Sequence, residues 1–311
     1  MKRRVLSKLL AGVFIASVSL AASGCSLRRT AVNTTVSVLA EGDIVARSYF
    51  DWESAGSATP AGIIQFEGMH RVSPDNEELT LMIVKAYMAY AYGWVMDAYE
   101  VAQQKGDFEQ AEHHKQRAFL MYSRARDLAL RALEARDPEI RQSLTLPPKE
   151  LAAYLERKFD EDDLAPLFWL MMSWTSAINN SPHSEDLADM AQLRTIASWV
   201  IARKPDYEDA GALVFLGGFE SSMPKAVGGD PAKGKAFFER ALELTGRKNH
   251  IVLINYAMLY AVNQGDRALF VSLMREIIEA PDQGAPFRMS NKVARRRATR
   301  ALQRVDELFY D

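Results

Sequence analysis

Five histidines are the obvious place to look for metal or acid–base chemistry, and their spacing supplies neither. His113 and His114 are adjacent. On a helix their side chains point about 100° apart and do not converge on one ion. No His-x-x-x-His pair occurs, and no pairing of His with Glu reads as a metal site. The cluster Asp160-Glu161-Asp162-Asp163 lacks the spaced ligands of a calcium loop. It stands just before Leu164-Ala165-Pro166, where acids cap a helix start. Gly228-Gly229-Asp230 has neither a Gly-Lys-Ser/Thr nor a preceding strand, so it is not a phosphate loop. No Gly-x-Ser-x-Gly elbow is present. These spacings point away from an enzyme, with no catalytic residue, metal or cofactor to assign.

Side chains suited to binding apolar matter are more plentiful. Tyr87, Tyr90 and Trp94 share one helix face. Trp169, Met172 and Ser176 share another, with Phe168, Met171 and Trp174 beside them. Phe215, Phe219 and Met223 follow at i, i+4, i+8. Twelve methionines remain after Met1, and methionine adapts to varied apolar partners. Such stripes form a core, or they line a concave surface between helices. The stretch Glu220 to Asp230 places Pro224, Lys225, Gly228 and Gly229 between aromatic-bearing helices. It is either a connector or a pocket rim with one cation for an anionic head. The candidate ligand contacts are Tyr90, Trp94, Trp169, Met172, Phe215, Phe219, Met223 and Lys225.

The lone cysteine adds chemistry of another kind. Lys2, Arg3, Arg4 and Lys8 precede an apolar run from Leu9 to Leu20, and Ala22-Ser23-Gly24-Cys25 closes it. This order is that of a secretory signal ending in a bacterial lipobox. Residues 1–24 would be removed, and Cys25 would carry lipid on its thiol and amine. The run is shorter than the roughly 20 residues a spanning helix needs. Ser26 rather than Asp follows the cysteine, which suggests the outer membrane, facing the periplasm. No second apolar stretch of membrane length is read. Membrane attachment is therefore expected through the lipid only.

Four of the 38 Lys and Arg lie in that leader and none of the 40 Asp and Glu, so the remainder carries a net charge of −6. An acidic balance argues against nucleic acid as a partner. With no cysteine beyond Cys25, disulfides and thiolate metal sites are excluded. Residues 25–45 read as a lipidated tether and 46–311 as one folded domain.

From Tyr49 onward apolar residues recur at helical spacing, and β-branched alternation is scarce. The expected fold is all-α. Helices are expected in pairs: 77–105 with 108–136, 164–180 with 184–203, 207–221 with 231–245, and 249–263 with 266–280. Pro and Gly stand between them. Each pair resembles a tetratricopeptide (TPR) hairpin, best over residues 230–245. There Ala236 and Ala241 are small enough for neighbouring helices to touch. The period is longer than usual and the Trp-Leu-Gly-Tyr signature is broken. A TPR-like helical-hairpin solenoid with a C-terminal capping helix is thus expected. In that cap, residues 290–309, Lys292, Arg296, Arg300 and Arg304 form a basic stripe. It is either a solvated face or a docking edge for an acidic partner or lipid headgroups, with Arg296, Arg300 and Arg304 as the contacts.

Several stretches resemble the T component of TPR-protein-associated TRAP transporters, a group of bacterial lipoproteins. The marks run from Ser221-Ser222-Met223-Pro224-Lys225 through Gly229-Asp230-Pro231 and Lys235-Ala236-Phe237-Phe238-Glu239-Arg240-Ala241. They continue in Tyr256-Ala257, Asp266-Arg267-Ala268-Leu269-Phe270 and Arg295-Arg296-Arg297-Ala298, with a weaker mark at Tyr92-Gly93. The resemblance implies a TPR-like fold and a homotrimer with a pore or cleft through each protomer. It also implies association with a periplasmic solute-binding protein, the P component, which serves an ion-gradient-driven permease. Two functions follow as expectations. The protein accepts or relays a small, partly apolar solute, or it is an envelope scaffold whose groove holds an extended peptide.

Overall fold

The computed structural model describes residues 26–183, 188–224 and 228–309. Cys25 with its leader, and Lys225, lie outside the described residues. Among those described, every regular element is a helix.

Helix α1 covers residues 26–41 and α2 Asp43–Ser48. They are followed by α3 (Trp52–Val72) and α4 (Glu77–Gln104). Next come α5 (Phe108–Arg136), α6 (Pro148–Lys158), α7 (Leu164–Asn180) and α8 (Met190–Arg203). The chain continues through α9 (Tyr207–Ser222), α10 (Pro231–Leu244), α11 (His250–Ala261), α12 (Arg267–Glu279) and α13 (Arg288–Gln303). The starts obey capping chemistry. Asn76 Oδ1 accepts from the Leu79 amide at 2.8 Å, Asp107 from Gln110 at 3.1 Å, and Asp266 from Leu269 at 2.9 Å. Asp230 caps α10 ahead of Pro231 in the first turn. Asp160 and Asp163 form a capping box before α7, and Asp163 also pairs with Arg136 at 2.6 Å.

The stretch read as a tether is helical at residues 26–41. Val36 is fully buried against the core, and Asn33 accepts hydrogen bonds from Ser73 and Asn76 at 2.8 Å. A single buried valine is too faint a signal to mark a helix among small polar residues. α4 also departs from the sequence reading. By length and composition it would cross a membrane, yet it packs against α3, α5 and α7. A buried core helix has the same composition as a membrane helix.

Most helices pack on their chain neighbours, but α5 also packs extensively on α7, and α6 packs on α8. Two apolar clusters result, one drawn from α1 to α9 and one from α9 to α13. α9 serves both: Ala212, Phe215, Leu216 and Phe219 enter the first, Ala210 and Leu213 the second. It can be buried all round because Gly217 admits the Phe238 ring and Gly218 admits Leu259. The α9–α10 contact is made by Gly234, where an added Cβ would lie 2.2 Å from Ser221 Oγ. Ala241 is buried as expected, but Ala236 points to solvent.

The row of helices then returns on itself. Arg296 bonds Asp97 at 3.1 Å and Arg300 bonds Asp97 at 2.7 Å and Glu100 at 2.6 Å. Arg297 bonds Glu100 at 3.0 Å and lies 3.9 Å over the Tyr92 ring. Arg296 lies 3.8 Å over Trp52. Two arginines of the expected docking stripe, Arg296 and Arg300, are therefore spent on α4. Arg304 pairs locally with Glu307 at 2.7 Å. The basic face of α13 does not cap an open end toward water. It joins the end of the chain to α4.

A further ion pair ties α3 to α5. Arg124 holds Glu67 through two bonds of 2.8 and 2.6 Å, and Tyr87 donates to the same carboxylate at 3.2 Å. Glu67 stands three residues before His70, and this pairing shows it to be a structural group. The Arg124 bond holds the Glu67 pKa below its usual value. A depressed folded-state pKa gives stability that is full above the unfolded value, about 4.3, and is lost as pH falls through the folded one. Glu67→Gln should cost about 1 kcal/mol at pH 7. Urea unfolding should show that cost fading once the pH drops below the ordinary carboxylate range.

Candidate functional site

A cavity of about 1890 Å³ lies inside the ring. Its walls come mainly from α2, α3, α4, α7, α9, α11 and α13, with single residues or pairs from α1, α5 and α8. Most of the wall is apolar, as a solute site requires. Of the residues singled out by sequence, Trp94, Trp169, Met172, Phe215, Phe219 and Met223 line it together. Tyr90 does not. It stands one step back, stacked on Trp94 with centroids 5.9 Å apart. Tyr87 faces Glu67 instead.

Local irregularities shape this wall. α4 contains a π turn at Ala91–Val95, and α11 another at Tyr256–Ala261. Such one-residue insertions are frequent at functional sites. Tyr92, Gly93 and Trp94 from the first and Leu259 from the second border the cavity. Trp94 is fixed by an indole hydrogen bond to the Trp52 carbonyl at 3.0 Å and by stacking on Trp52. A Cβ on Gly56 would lie 2.2 Å from the Trp94 nitrogen, so α3 can approach only as glycine there. Near the 224–230 connector, Arg194 pairs at 2.5 Å with Glu220, which is buried in the α9 wall.

The first turn of α9 is the sharpest anomaly. Glu208, Asp209 and Ala210 have φ of 44°, 59° and 63°, a left-handed turn of three residues with side chains. Each costs about 1–2 kcal/mol relative to right-handed backbone. Strain of this kind persists only where the surroundings enforce it. Ala210 is fully buried, and the Tyr207 ring packs edge-on to Phe168 at 5.1 Å. The turn carries two carboxylates to the cavity wall. Glu208 meets Lys85 at 2.8 Å, and Asp209 meets Arg47 at 3.1 Å. Lys85 also stands 5.5 Å from the centre of the Trp169 ring. Burial raises the Asp209 pKa, while Arg47 opposes the rise.

None of these four charges was read from the sequence as a site residue. Glu208 and Asp209 look like ordinary first-turn helix acids, and only the backbone hand turns them inward. Lys85 did carry a signal: it is the one charge between Leu79 and Met96 in an otherwise apolar helix.

With this geometry in view, comparison with known proteins is informative. The family model described as TRAP transporter T-component matches residues 50–309. The chain belongs to the TRAP transporter T-component family. An uncharacterized protein of Treponema pallidum (strain Nichols) is 21% identical over 310 residues, spanning 93% of this chain and 94% of that one. The T-component family is a transporter accessory family and not an enzyme family, and membership supports an accessory role in a TRAP transport system. In this T-component, the matched region holds most of the apolar wall and the Lys85, Glu208 and Asp209 charges. Arg47 lies just before it.

Proposed function

We propose that this T-component holds a small, partly apolar solute in the ring cavity and relays it to the periplasmic solute-binding protein of its TRAP system. The observation that carries the reading is the cavity itself: a large, mostly apolar space with aromatic and methionine side chains on its wall. An extended-peptide scaffold would instead need an open polar groove. The lipid on Cys25 would tether the body to the outer membrane, on the periplasmic side. The paired helices are read as divergent TPR units, a reading that the small Gly234–Ser221 contact supports. The protein is proposed to act as a homotrimer. Exposed apolar side chains on the α1–α3 segment, including Val38, Phe50 and Ile64, support contact with a neighbouring copy.

Native mass spectrometry of the lipid-free body, starting at Ser26, tests this directly. A trimer carrying a co-purified small mass is expected. An empty monomer that captures peptides would refute the reading. Trp169→Ala should weaken retention of that small mass about tenfold, equivalent to about 1.4 kcal/mol, without dissociating the trimer. Unchanged retention would remove Trp169 from the path.

A further inference from the structure

The charges at the cavity wall go beyond an apolar path. Two ion pairs meet on one short turn. Lys85–Glu208 spans 2.8 Å and Arg47–Asp209 spans 3.1 Å. Glu208 and Asp209 are consecutive, so both pairs are anchored on one turn of a mostly apolar wall, whose other charges include Glu77, Glu78 and Arg297. Ion pairs as exposed as these, with side chains 21–39% accessible, add little net stability. The backbone that presents them is strained as well. A fold that needed only a turn at this point could use glycine and no charge.

The sign pattern restricts what can dock. A purely anionic head drawn to Lys85 and Arg47 would face two adjacent carboxylates. Burial already disfavours the charge on one of them, Asp209. A purely cationic head would face the lysine and the arginine. A head bearing one charge of each sign can insert into both pairs and leave no charge uncompensated. The body attached to it would lie along Trp169, Met172 and Phe215.

Resting on the solute-cavity reading above, we infer that the left-handed turn and its two cations form a head-group site for a zwitterionic solute. Its chemical class is an α-ammonium carboxylate on an apolar chain. The carboxylate is received by Lys85 and Arg47, and the ammonium by Glu208 and Asp209.

The test uses four eight-carbon probes on the lipid-free body by titration calorimetry: 2-aminooctanoate, octanoate, octylamine and 1-octanol. The inference expects 2-aminooctanoate to bind at least tenfold tighter than octanoate or octylamine. In Lys85→Met/Glu208→Gln, which removes one pair without net charge change, that preference should shrink to under threefold. Octanoate binding as tightly as 2-aminooctanoate would overturn the head-group site. So would a preference that survives in the double variant. If octanol binds and Trp169→Ala abolishes it while no head preference appears, the apolar cavity stands and the zwitterion inference alone fails. If none of the four probes binds, both fail. The ligand series on the unaltered protein is decisive even if the variant does not fold.

Discussion

Phe238→Ala should remove about 3–5 kcal/mol of folding stability, the range for deleting a fully buried aromatic ring. Phe238 is fully buried, stacks on Tyr256 with centroids 5.0 Å apart, and sits against α9 where Gly217 has no side chain. The neighbouring wall is backbone, which cannot collapse into the void. The ring also bridges α9, α10 and α11, so the loss should be felt throughout the C-terminal cluster. Urea unfolding would register it as a lower midpoint with an unchanged slope. Adding Gly217→Ala to this variant should recover part of the loss, because the methyl enters space the ring has vacated. A cost under about 1 kcal/mol would mean that α9 and α10 are not packed through this ring.

Closure of the ring should fail in Arg296→Met/Arg300→Met. Asp97 is 3% exposed, and both arginines bond its carboxylate. Removing both leaves a buried anion without its partners, which typically costs about 3–5 kcal/mol. Restoring neutrality with Asp97→Asn in the same chain should return a large share of it. The expected structural result is release of α13 from α4, with Arg297, bonded to Glu100 and the Tyr92 carbonyl, as the remaining polar link. Limited proteolysis near residues 280–290 should accelerate, and the freed apolar wall should take up an environment-sensitive dye. A double variant of native stability with an unaltered proteolysis pattern would show that the ring is held by apolar packing alone.

Both predictions concern contacts that the sequence reading located only in part. Helix positions were legible because capping residues and breakers are local signals. Asn76, Asp107, Asp230 and Asp266 each sit one residue before a helix, and each satisfies an amide of the first turn. The aromatic and methionine stripes were legible because helical spacing puts such residues on one face. That the stripes on α4, α7 and α9 face a common space was not legible, since it depends on how three helices are rotated about one another. Tyr90 illustrates this: it is one turn from Trp94 yet stands behind the wall. The α13 arginines were visible as a stripe. Their partners Asp97 and Glu100 lie about 200 residues away, and nothing local pairs them.

By itself the sequence determined an all-helical chain, the main helix boundaries, and the family, whose marks are short runs of fixed residue types. These rest on interactions within a few residues. Only the tertiary structure decided that the row of helices closes, that it encloses a cavity, and that Glu208 and Asp209 turn inward to Lys85 and Arg47. Those outcomes depend on ion pairs across the chain and on a backbone hand that local propensity disfavours, which only surrounding packing can impose.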